Sequence, residues 1–496
     1  MNTVTDYLKN SYINYPDRVA CIDDEKTLTY KELYELSDVV ASNLIDKITV
    51  GTPIPLIMKK SCDALVILWG IIKAGGCYCV IDAMQPKVRI ESIINTLNSK
   101  YVIAKSDSAK KLENLSCEII SPESLFENNG TKATSVVHID TDPLYIMFTS
   151  GSTGVPKGVI VNHRSVIDFI DQFTTLFGFS CEDVIGNQAP WDFDVSVKDI
   201  FSAARVGAAI RLIPKKYFSL PVDLVTLLDK DKVTTLTWAV SALVILSSRG
   251  ALEKLAPKYI NKILFSGEVM PVKQYNIWRG FYPDALFVNV YGPTEITCNC
   301  TYHIVEGIYP EDSVIPAGKA FPNERVFLLS DDDKLISKDE KNTEGEICVS
   351  GTAVVIGYYN NPEETNKRFV QNPLNKLYPE IIYRTGDLAY YDENEDLVYT
   401  SRKDFQIKHM GHRIELSEID RCINRNENVN MSCTIFHDEK IIAFVEGNIE
   451  EKALVAEMRK ILPVFMIPSE FRFVESMPFN NNGKIDRKAL ALLLSE

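Results

Sequence analysis

A run of small and hydroxyl-bearing residues, "FTSGSTGVPKG", occupies positions 148 to 158. Backbone N–H groups and hydroxyls in such a loop can surround phosphate oxygens, and Lys157 adds a cation. The run differs from a Walker A loop because Pro156 precedes the lysine, Gly158 follows it, and the next residues favour a strand rather than a helix. Taken alone, the run fits either a phosphate-binding loop or a Gly/Ser turn.

The segments around this loop alternate between strand-like and helix-like patterns. After Leu28 the chain reads "LTYKELYELSDVVASNL", in which Thr29 can cap a helix whose apolar residues recur at three- and four-residue spacing. A second helix-like run, "SALVILSSRGALEKL", begins at Ser241. Short β-branched runs predict strands at 233–240, 262–267, 285–292 and 345–351. This alternation favours an α/β fold with largely parallel strands.

The character of the chain changes after the segment 399–420. The remaining residues follow a short α+β pattern and lack the Gly/Ser richness of a long linker. We therefore predict a large unit at 1–403 and a small unit at 404–496, joined by a tight hinge near Asp404.

Composition limits the classes of function. The 496 residues carry 67 acidic and 53 basic side chains, a net charge of −14, which argues against nucleic acid or an anionic membrane as a partner. No basic region followed by an apolar run begins the chain, and no apolar stretch is long enough to span a bilayer. The eleven cysteines form no CxxC pair, which indicates free thiols. We expect a cytoplasmic monomer.

Ordered segments along nearly the whole chain resemble the motifs of the adenylate-forming superfamily. Within it, they resemble those of the amino-acid adenylation domains of nonribosomal peptide synthesis and of D-alanyl carrier protein ligases. The matching segments are "LTYKEL" (28–33), "LWGIIKAGGCYCVID" (68–82), "YIMFTSGSTGVPKG" (145–158), "FDVS" (193–196), "NVYGPTE" (289–295), "GEICVSG" (345–351), "YRTGD" (383–387), "SRKDFQIKHMGHRIEL" (401–416), "LPVFMIP" (462–468) and "NGKIDRKAL" (482–490).

The resemblance implies a fold and a two-step reaction. The expected fold is α/β, with a large N-terminal domain of parallel-sheet αβαβα layers plus a distorted β-barrel, and a small mobile α+β C-terminal domain. A substrate carboxylate attacks the α-phosphorus of ATP and releases pyrophosphate, which requires a cation, Mg²⁺ and fixed dipoles because two anions must meet. The acyl group then passes to the phosphopantetheine thiol of a carrier protein, expected in trans because the chain ends soon after Lys484.

The resemblance also implies roles for individual residues in ATP binding and catalysis. Lys484 is the expected cation of adenylation, Thr294 lies near the α-phosphate, Glu295 binds Mg²⁺, and Asp404 is the hinge. Asp387 is expected on the ribose hydroxyls, since one carboxylate can accept from both. The other nucleotide-binding residues implied are Thr149, Ser150, Gly151, Ser152, Thr153, Gly154 and Lys157 on the phosphates, Gly267, Glu268, Asn289, Tyr291 and Gly292 around the adenine, and Arg402 on the nucleotide.

After adenylation, rotation about the hinge would remove Lys484 from the site. The same rotation would bring the segment "KHMGHR" (408–413) toward the site for thioester formation.

The substrate pocket is implied in the same way. Asp194 would pair with the α-ammonium of an amino acid, although a helix-capping Asp is the alternative reading. The remaining pocket positions are Val195, Lys198, Thr237, Leu264, Ser266, Val290, Cys298 and Asn299. If Lys198 points inward, its buried ammonium needs a partner, and an acidic amino acid would supply one, as in family pockets for glutamate. If Lys198 reaches solvent, Ser266 and Cys298 leave a small pocket for D-Ala, Ser or Cys.

Two other classes of protein remain as alternatives. An acyl-CoA or aryl-CoA synthetase would share the ATP site but would have no reason to keep Asp194. A non-catalytic nucleotide-binding protein would be expected to lose Lys484, Glu295 or Asp387, and the chain has all three.

Overall fold

A computed structural model describes residues 3–113, 115–127, 136, 138–151, 156–404, 406–479 and 485–494. Within these ranges the strands are β1 Val19–Ile22, β2 Thr27–Thr29, β3 Pro53–Ile57, β4 Cys77–Val80, β5 Tyr101–Ala104, β6 Glu118–Ile120, β7 Pro143–Thr149, β8 Lys157–Asn162, β9 Val184–Asn187, β10 Ala209–Leu212, β11 Thr235–Ala239, β12 Lys262–Ser266, β13 Leu286–Tyr291, β14 Thr301–Ile304, β15 Lys319–Ala320, β16 Glu324–Leu329, β17 Leu335–Ile336, β18 Gly345–Gly351, β19 Gly357–Tyr358, β20 Phe369–Gln371, β21 Ile381–Tyr391, β22 Leu397–Arg402, β23 Gln406–His409, β24 His412–Glu415, β25 Val429–His437, β26 Lys440–Gly447 and β27 Glu470–Phe473.

The helices lie between these strands in the order expected of an α/β chain. They are α1 Thr5–Asn14, α2 Tyr30–Leu44, α3 Cys62–Lys73, α4 Lys87–Leu97, α5 Ser106–Ala109, α6 His163–Leu176, α7 Val195–Val206, α8 Pro221–Lys230, α9 Val240–Ser248, α10 Ala251–Lys254, α11 Val272–Phe281, α12 Pro362–Arg368, α13 Leu416–Ile423, α14 Glu451–Met458 and α15 Arg487–Leu492.

Local sequence explains why the better-defined helices begin where they do. Thr29 and Glu32 form a reciprocal capping box at the start of α2, which satisfies two N–H groups that the first turn leaves free. Helix α3 begins after Ser61, whose side chain accepts from the Ala64 N–H. Its apolar residues cover every face, and it is almost entirely buried.

Two large sheets carry the parallel strands. One has the order β15-β14-β13-β12-β11-β9-β10-β1-β2, and the other has the order β19-β8-β7-β4-β3-β5-β6. The inner pairs, such as β11 with β12 and β3 with β4, are parallel, whereas strands at or next to an edge, such as β14, β2 and β8, pair antiparallel with their inner neighbours. The sequence prediction of largely parallel strands holds for the centres of both sheets.

A third sheet and a small unit complete the molecule. Strands β17-β16-β18-β21-β20, with β22 on β21, form an antiparallel sheet that corresponds to the barrel-like part of the predicted fold. Beyond it, β23 and β24 form a two-stranded hairpin, and β25, β26 and β27 form a separate sheet with α13, α14 and α15 nearby in the chain. The predicted α/β fold class is confirmed.

Candidate active site

The carboxyl ends of three neighbouring parallel strands meet at one edge of the larger sheet. Strand β11 ends at Ala239, β12 at Ser266 and β13 at Tyr291, and Ala239 stands opposite Ser266 in the register. Ligands of parallel sheets bind outside such carboxyl ends. The residues predicted to bind substrate, and those predicted around the adenine, lie in or just after these strands or at the start of α7.

Asp194 lies immediately before α7 but does not cap it. Its side chain makes no capping hydrogen bond to the helix, so the helix-cap reading is wrong. Burial raises the Asp194 pKa, although the nearby Thr294 hydroxyl lowers it in part. The backbone carbonyl of Asp194 accepts from the Cys298 thiol at 3.0 Å. These contacts hold the Asp194 segment against the loop that follows β13.

Lys198 points into the protein and not toward solvent. Its side chain is 1% exposed, so the alternative in which it reaches water is wrong. Nζ donates to Ser266 Oγ at 3.2 Å and to Asn299 Oδ1 at 3.0 Å, and both acceptors are neutral oxygens. Burial lowers the Lys198 pKa, and the nearby carboxyl groups of Asp194 and Asp199 offset part of that shift.

A second buried network lies beside this lysine on α7. Asp199 accepts hydrogen bonds from the Thr237 hydroxyl and from Asn187 Nδ2, the latter at 2.7 Å, and burial raises its pKa to about 6. The Lys60 ammonium donates to the carbonyls of Asn187 and Gln188 at 2.9 and 2.8 Å, and burial lowers its pKa to about 7. The network fixes the end of β9, from which the Asp194 segment starts.

The backbone around Cys298 is strained. Thr297 has φ +44° and Cys298 has φ +78°, in the left-handed region that side-chain-bearing residues rarely adopt. A Cβ at Gly292 would lie 2.5 Å from the Asn299 Cα, so only glycine lets these two segments approach. The other predicted pocket residues are near: Val195 opens α7, Leu264 is buried in β12 and Val290 in β13.

Asp387, which is predicted to bind the ribose hydroxyls, already hydrogen-bonds two other side chains of the protein. Asp387 Oδ1 accepts from Arg402 Nη1 at 2.5 Å, and Asp387 Oδ2 accepts from the Tyr291 hydroxyl. Arg402 Nε also donates to Asp404 Oδ1 at 2.6 Å, at the start of the predicted hinge. A ribose that bound Asp387 would share its carboxylate with these partners or replace one of them.

A cavity of about 920 Å³ adjoins these residues. Its lining includes residues predicted for the nucleotide, namely Gly267, Glu268, Asn289, Tyr291 and Arg402. Residues of the small unit, such as Lys408 and Met410, form the opposite side. The volume is within the range of small-molecule sites in proteins.

The phosphate loop joins β7 to β8, as the sequence predicts. Thr149 ends β7, and Ser150 and Gly151 follow it, while Ser152, Thr153 and Gly154 lie outside the described residues. Lys157 begins β8 and pairs with Glu364 at 2.8 Å. Lys484, the predicted cation of adenylation, also lies outside the described residues.

Glu295, the predicted Mg²⁺ ligand, is 1% exposed and holds two partners. The Tyr358 hydroxyl donates to Oε1 at 2.6 Å, and Arg413 Nη1 donates to Oε2 at 2.7 Å. Burial opposes ionisation, but the Arg413 charge and the hydrogen bonds outweigh it and lower the Glu295 pKa to about 2. The carboxylate is therefore ionised and already paired with a cation, Arg413.

Arg413 belongs to the β23–β24 hairpin, residues 406–415, which we call the active-site hairpin. The hairpin lies against the large unit. Its Gly411 N–H donates to Glu268 Oε1 at 3.0 Å, and the Ser150 hydroxyl donates to the Arg413 carbonyl at 2.8 Å. Lys408 Nζ is 5.3 Å from the centre of the Tyr291 ring. The predicted nucleotide residues thus contact the small unit directly.

Several of these partners were missed at the sequence level. Tyr358, Lys60 and Asp199 carry no motif of their own, so only the fold reveals their contacts. Arg413 does fall within the "KHMGHR" segment, and its position there was the available signal.

The family model described as AMP-binding enzyme matches residues 8–359 of the chain. Zwittermicin A synthase ZmaJ of Bacillus cereus is 32% identical, over 98% of this chain and 94% of its own length. D-alanine–D-alanyl carrier protein ligase of Bacillus licheniformis is 31% identical, over 96% of each chain. The chain therefore belongs to the AMP-binding family and is an adenylate-forming ligase. Within that family it is of the type that comprises nonribosomal adenylation domains and D-alanyl carrier protein ligases, as the sequence resemblance predicted.

Solved structures agree on the fold. The adenylation domain AlmE of Vibrio cholerae, solved with glycyl-adenosine-5'-phosphate, superposes with a TM-score of 0.87 at 21% identity and covers 99% of this chain and 97% of that one. Some curated relatives are much longer, and the chain spans 10% of one that is 31% identical. Among the described residues, no helix combines the length and apolar character needed to cross a bilayer.

Proposed function

We propose that this ligase activates an acidic amino acid as its aminoacyl-adenylate and then transfers it to the phosphopantetheine thiol of a separate carrier protein. The observation that carries the acidic substrate is Lys198, a buried cation whose two hydrogen-bond acceptors are neutral. A buried ammonium that hydrogen-bonds only neutral acceptors is costly even with Asp194 and Asp199 nearby, and a substrate side-chain carboxylate would supply a direct partner.

The other end of the substrate has its own partner. Asp194 would accept the α-ammonium, and the Cys298 thiol, which donates to the Asp194 carbonyl, supports this role by holding the segment at the carboxyl edge of the sheet. Asp194 and Lys198 are one helical turn apart. An amino acid with a terminal carboxylate is thus complementary in charge to the pair, and a fatty or aryl acid leaves Asp194 unpaired.

ATP is the second substrate implied by the family. Glu295 is an oxygen ligand suited to Mg²⁺, which sites of this kind hold through one or two carboxylates together with the nucleotide phosphates. Bound there, Mg²⁺ would neutralise the negative charge that develops at the phosphates. Ser150 and the backbone N–H groups of the phosphate loop would contact the same phosphates, and Lys484 would supply the mobile cation.

Amino-acid-dependent exchange of pyrophosphate into ATP tests this function. The assay should cover the proteinogenic amino acids and D-alanine, and glutamate or aspartate is expected to give the strongest signal. Exchange that depends only on a fatty or aryl acid would refute amino-acid activation. Exchange with a single neutral amino acid would refute the acidic side chain while leaving amino-acid activation intact.

A small amino acid is the second candidate. It is favoured by the D-alanine–D-alanyl carrier protein ligase relative, which matches this chain almost from end to end. In that case Ser266, Cys298 and the retracted Lys198 ammonium would line a short pocket. Exchange with D-alanine above all other substrates would identify this candidate.

A further inference from the structure

Arg413 holds the one carboxylate that the proposed function assigns to Mg²⁺. Its Nη1 lies 2.7 Å from Glu295 Oε2, and the Arg413 side chain is 16% exposed while that of Glu295 is 1% exposed. The Tyr358 hydroxyl occupies the other oxygen at 2.6 Å. Both oxygens of Glu295 are therefore engaged while the active-site hairpin is docked.

Residues of the hairpin itself orient the Arg413 side chain toward Glu295. Arg413 Nε donates to Gln406 Oε1, and Gln406 Nε2 in turn donates to Glu415 Oε1 at 2.6 Å. These residues lie on the paired strands β23 and β24, so the guanidinium is fixed by its own hairpin. A guanidinium held by such hydrogen bonds presents its charge in one direction at little entropic cost.

Two further hairpin contacts fall on residues that are also predicted to bind ATP. The Ser150 hydroxyl donates to the Arg413 carbonyl, and the Glu268 side chain accepts from the Gly411 N–H. Docking of the hairpin thus involves residues that ATP is predicted to contact. Glu295 differs from the others because its partner in the hairpin is a cation, as Mg²⁺ would be.

We propose that Arg413 is a positioning residue that replaces Mg²⁺ on Glu295 between the two half-reactions. This inference rests on the proposed two-step function and deepens it. Mg²⁺ bound at Glu295 would repel the Arg413 guanidinium and would oppose docking of the hairpin. Without Mg²⁺, the buried Glu295 carboxylate takes Arg413 as its partner, as it does here, and the hairpin is docked in the arrangement proposed for thioester formation. Competition for this carboxylate would thus order the half-reactions.

Hydrogen exchange of the hairpin measures this competition without relying on activity. The full-length protein is incubated with a non-hydrolysable ATP analogue, with Mg²⁺ or with a chelator, and deuterium uptake is followed in peptides from 406–415. In the wild type, Mg²⁺ is expected to speed uptake at least about fivefold beyond the effect of the analogue alone, the lower end of typical coupling between sites.

Arg413→Ala should uncouple Mg²⁺ binding from the release of the active-site hairpin. With Glu295 free in the docked state, Mg²⁺ can bind without displacing the hairpin, and its effect on uptake should fall below about twofold. Arg413→Lys keeps the charge and should restore part of the Mg²⁺ dependence. Arg413→Gln, which is closer in size, replaces the alanine variant if that variant unfolds on a thermal melt.

Arg89→Ala is the matched control. Arg89 pairs with Glu418 at 2.9 Å in another buried ion pair between the two units, but it does not touch Glu295. Its loss should weaken docking in general and raise uptake, yet the Mg²⁺ dependence should remain. Equal Mg²⁺ dependence in the wild type and Arg413→Ala would overturn the proposal, and so would an equal loss in Arg89→Ala.

The rate of thioester formation provides a functional test of the same proposal. Preformed aminoacyl-adenylate is mixed with a phosphopantetheine thiol in a single turnover, and Arg413→Ala is expected to be at least about tenfold slower than wild type. A wild type that shows amino-acid-dependent exchange but no Mg²⁺ effect on the hairpin would refute the role of Arg413 alone. A wild type without any amino-acid-dependent exchange would refute the proposed function instead.

Discussion

At the scale of single residues, Glu295 links folding to pH. Its pKa is about 2, below the ordinary 4.5, because Arg413 and Tyr358 stabilise the carboxylate in the folded protein. A depressed carboxylate pKa stabilises the fold fully above about pH 4.5, and this contribution is lost as pH falls toward about 2. The size implied is on the order of 3 kcal/mol.

Glu295→Gln tests this linkage. Thermal unfolding midpoints of wild type and variant should differ most at pH 6 or above, and the difference should shrink as pH falls from about 4.5 toward 2, since the wild type loses the stabilisation of its ionised carboxylate over that range. Glu311→Gln is the control, because Glu311 is exposed. A gap between wild type and Glu295→Gln that stays constant over this pH range would contradict the assigned pairing.

A second prediction at the scale of single residues concerns Lys198, on which the proposed acidic substrate depends. Lys198→Met removes the charge while keeping the length of the side chain, so activation of an acidic amino acid should fall by about 100-fold or more in kcat/KM. Activation of a neutral amino acid of similar length should rise. Lys198→Arg, which keeps the charge, is the control. An unchanged acidic preference in a folded Lys198→Met variant would exclude the proposed pairing.

The sequence predicted residues that belong to motifs and missed their partners. Asp194, Glu295 and Asp387 follow from the matched segments, because each motif is local. The partners of Glu295 do not, since Arg413 is 118 residues away in the chain and Tyr358 is 63 residues away. The sequence also left open whether Lys198 points inward. A lysine side chain is long enough to reach either solvent or the core from a position one helical turn after Asp194.

At the scale of elements, the active-site hairpin depends on its turn. Gly411 has φ +78°, and a Cβ there would lie 3.3 Å from the Ala239 Cβ of the large unit. Gly411→Ala therefore adds backbone strain of about 1–2 kcal/mol and crowds the docked hairpin. Thioester formation should slow about fivefold or more, with a smaller effect on pyrophosphate exchange.

Gly178→Ala separates strain from docking. Gly178 also has a positive φ, +61°, but nothing lies within 4 Å of a Cβ at that position. The Gly178→Ala variant should lower the thermal unfolding midpoint by a similar amount. It should leave the ratio of the rates of the two half-reactions unchanged. Equal changes in that ratio for both variants would show that the Gly411 effect is global destabilisation.

Elements were predictable where their patterns are local. The α2 cap and the strands β11, β12, β13 and β18 follow from capping residues and β-branched runs. The antiparallel edges formed by β14 and β8 do not, because a strand's direction depends on the connections that return it to the sheet, and no short pattern encodes them.

At the scale of the whole molecule, the apolar cores fall into two groups on either side of the boundary that we propose at 403/404. The two large clusters use residues from Val4 to Leu397, whereas the clusters of the small unit use residues from Ile414 to Leu490. None of these clusters mixes buried residues from the two sides of Asp404 within the described residues. Each unit therefore has its own core, as independently folding units require.

Separate expression of residues 1–403 and 404–496 tests the boundary. Each fragment should show a single cooperative thermal transition, because each keeps its own apolar core and the cut separates polar pairs such as Arg89–Glu418. The large fragment should bind ATP yet give no pyrophosphate exchange, since Lys484 is on the other piece. As a control, a cut after Lys232 separates β9 from its parallel neighbour β11 and should leave unfolded pieces. Failure of 404–496 to fold, with the same protease sensitivity as the control pieces, would contradict two units and favour one continuous core.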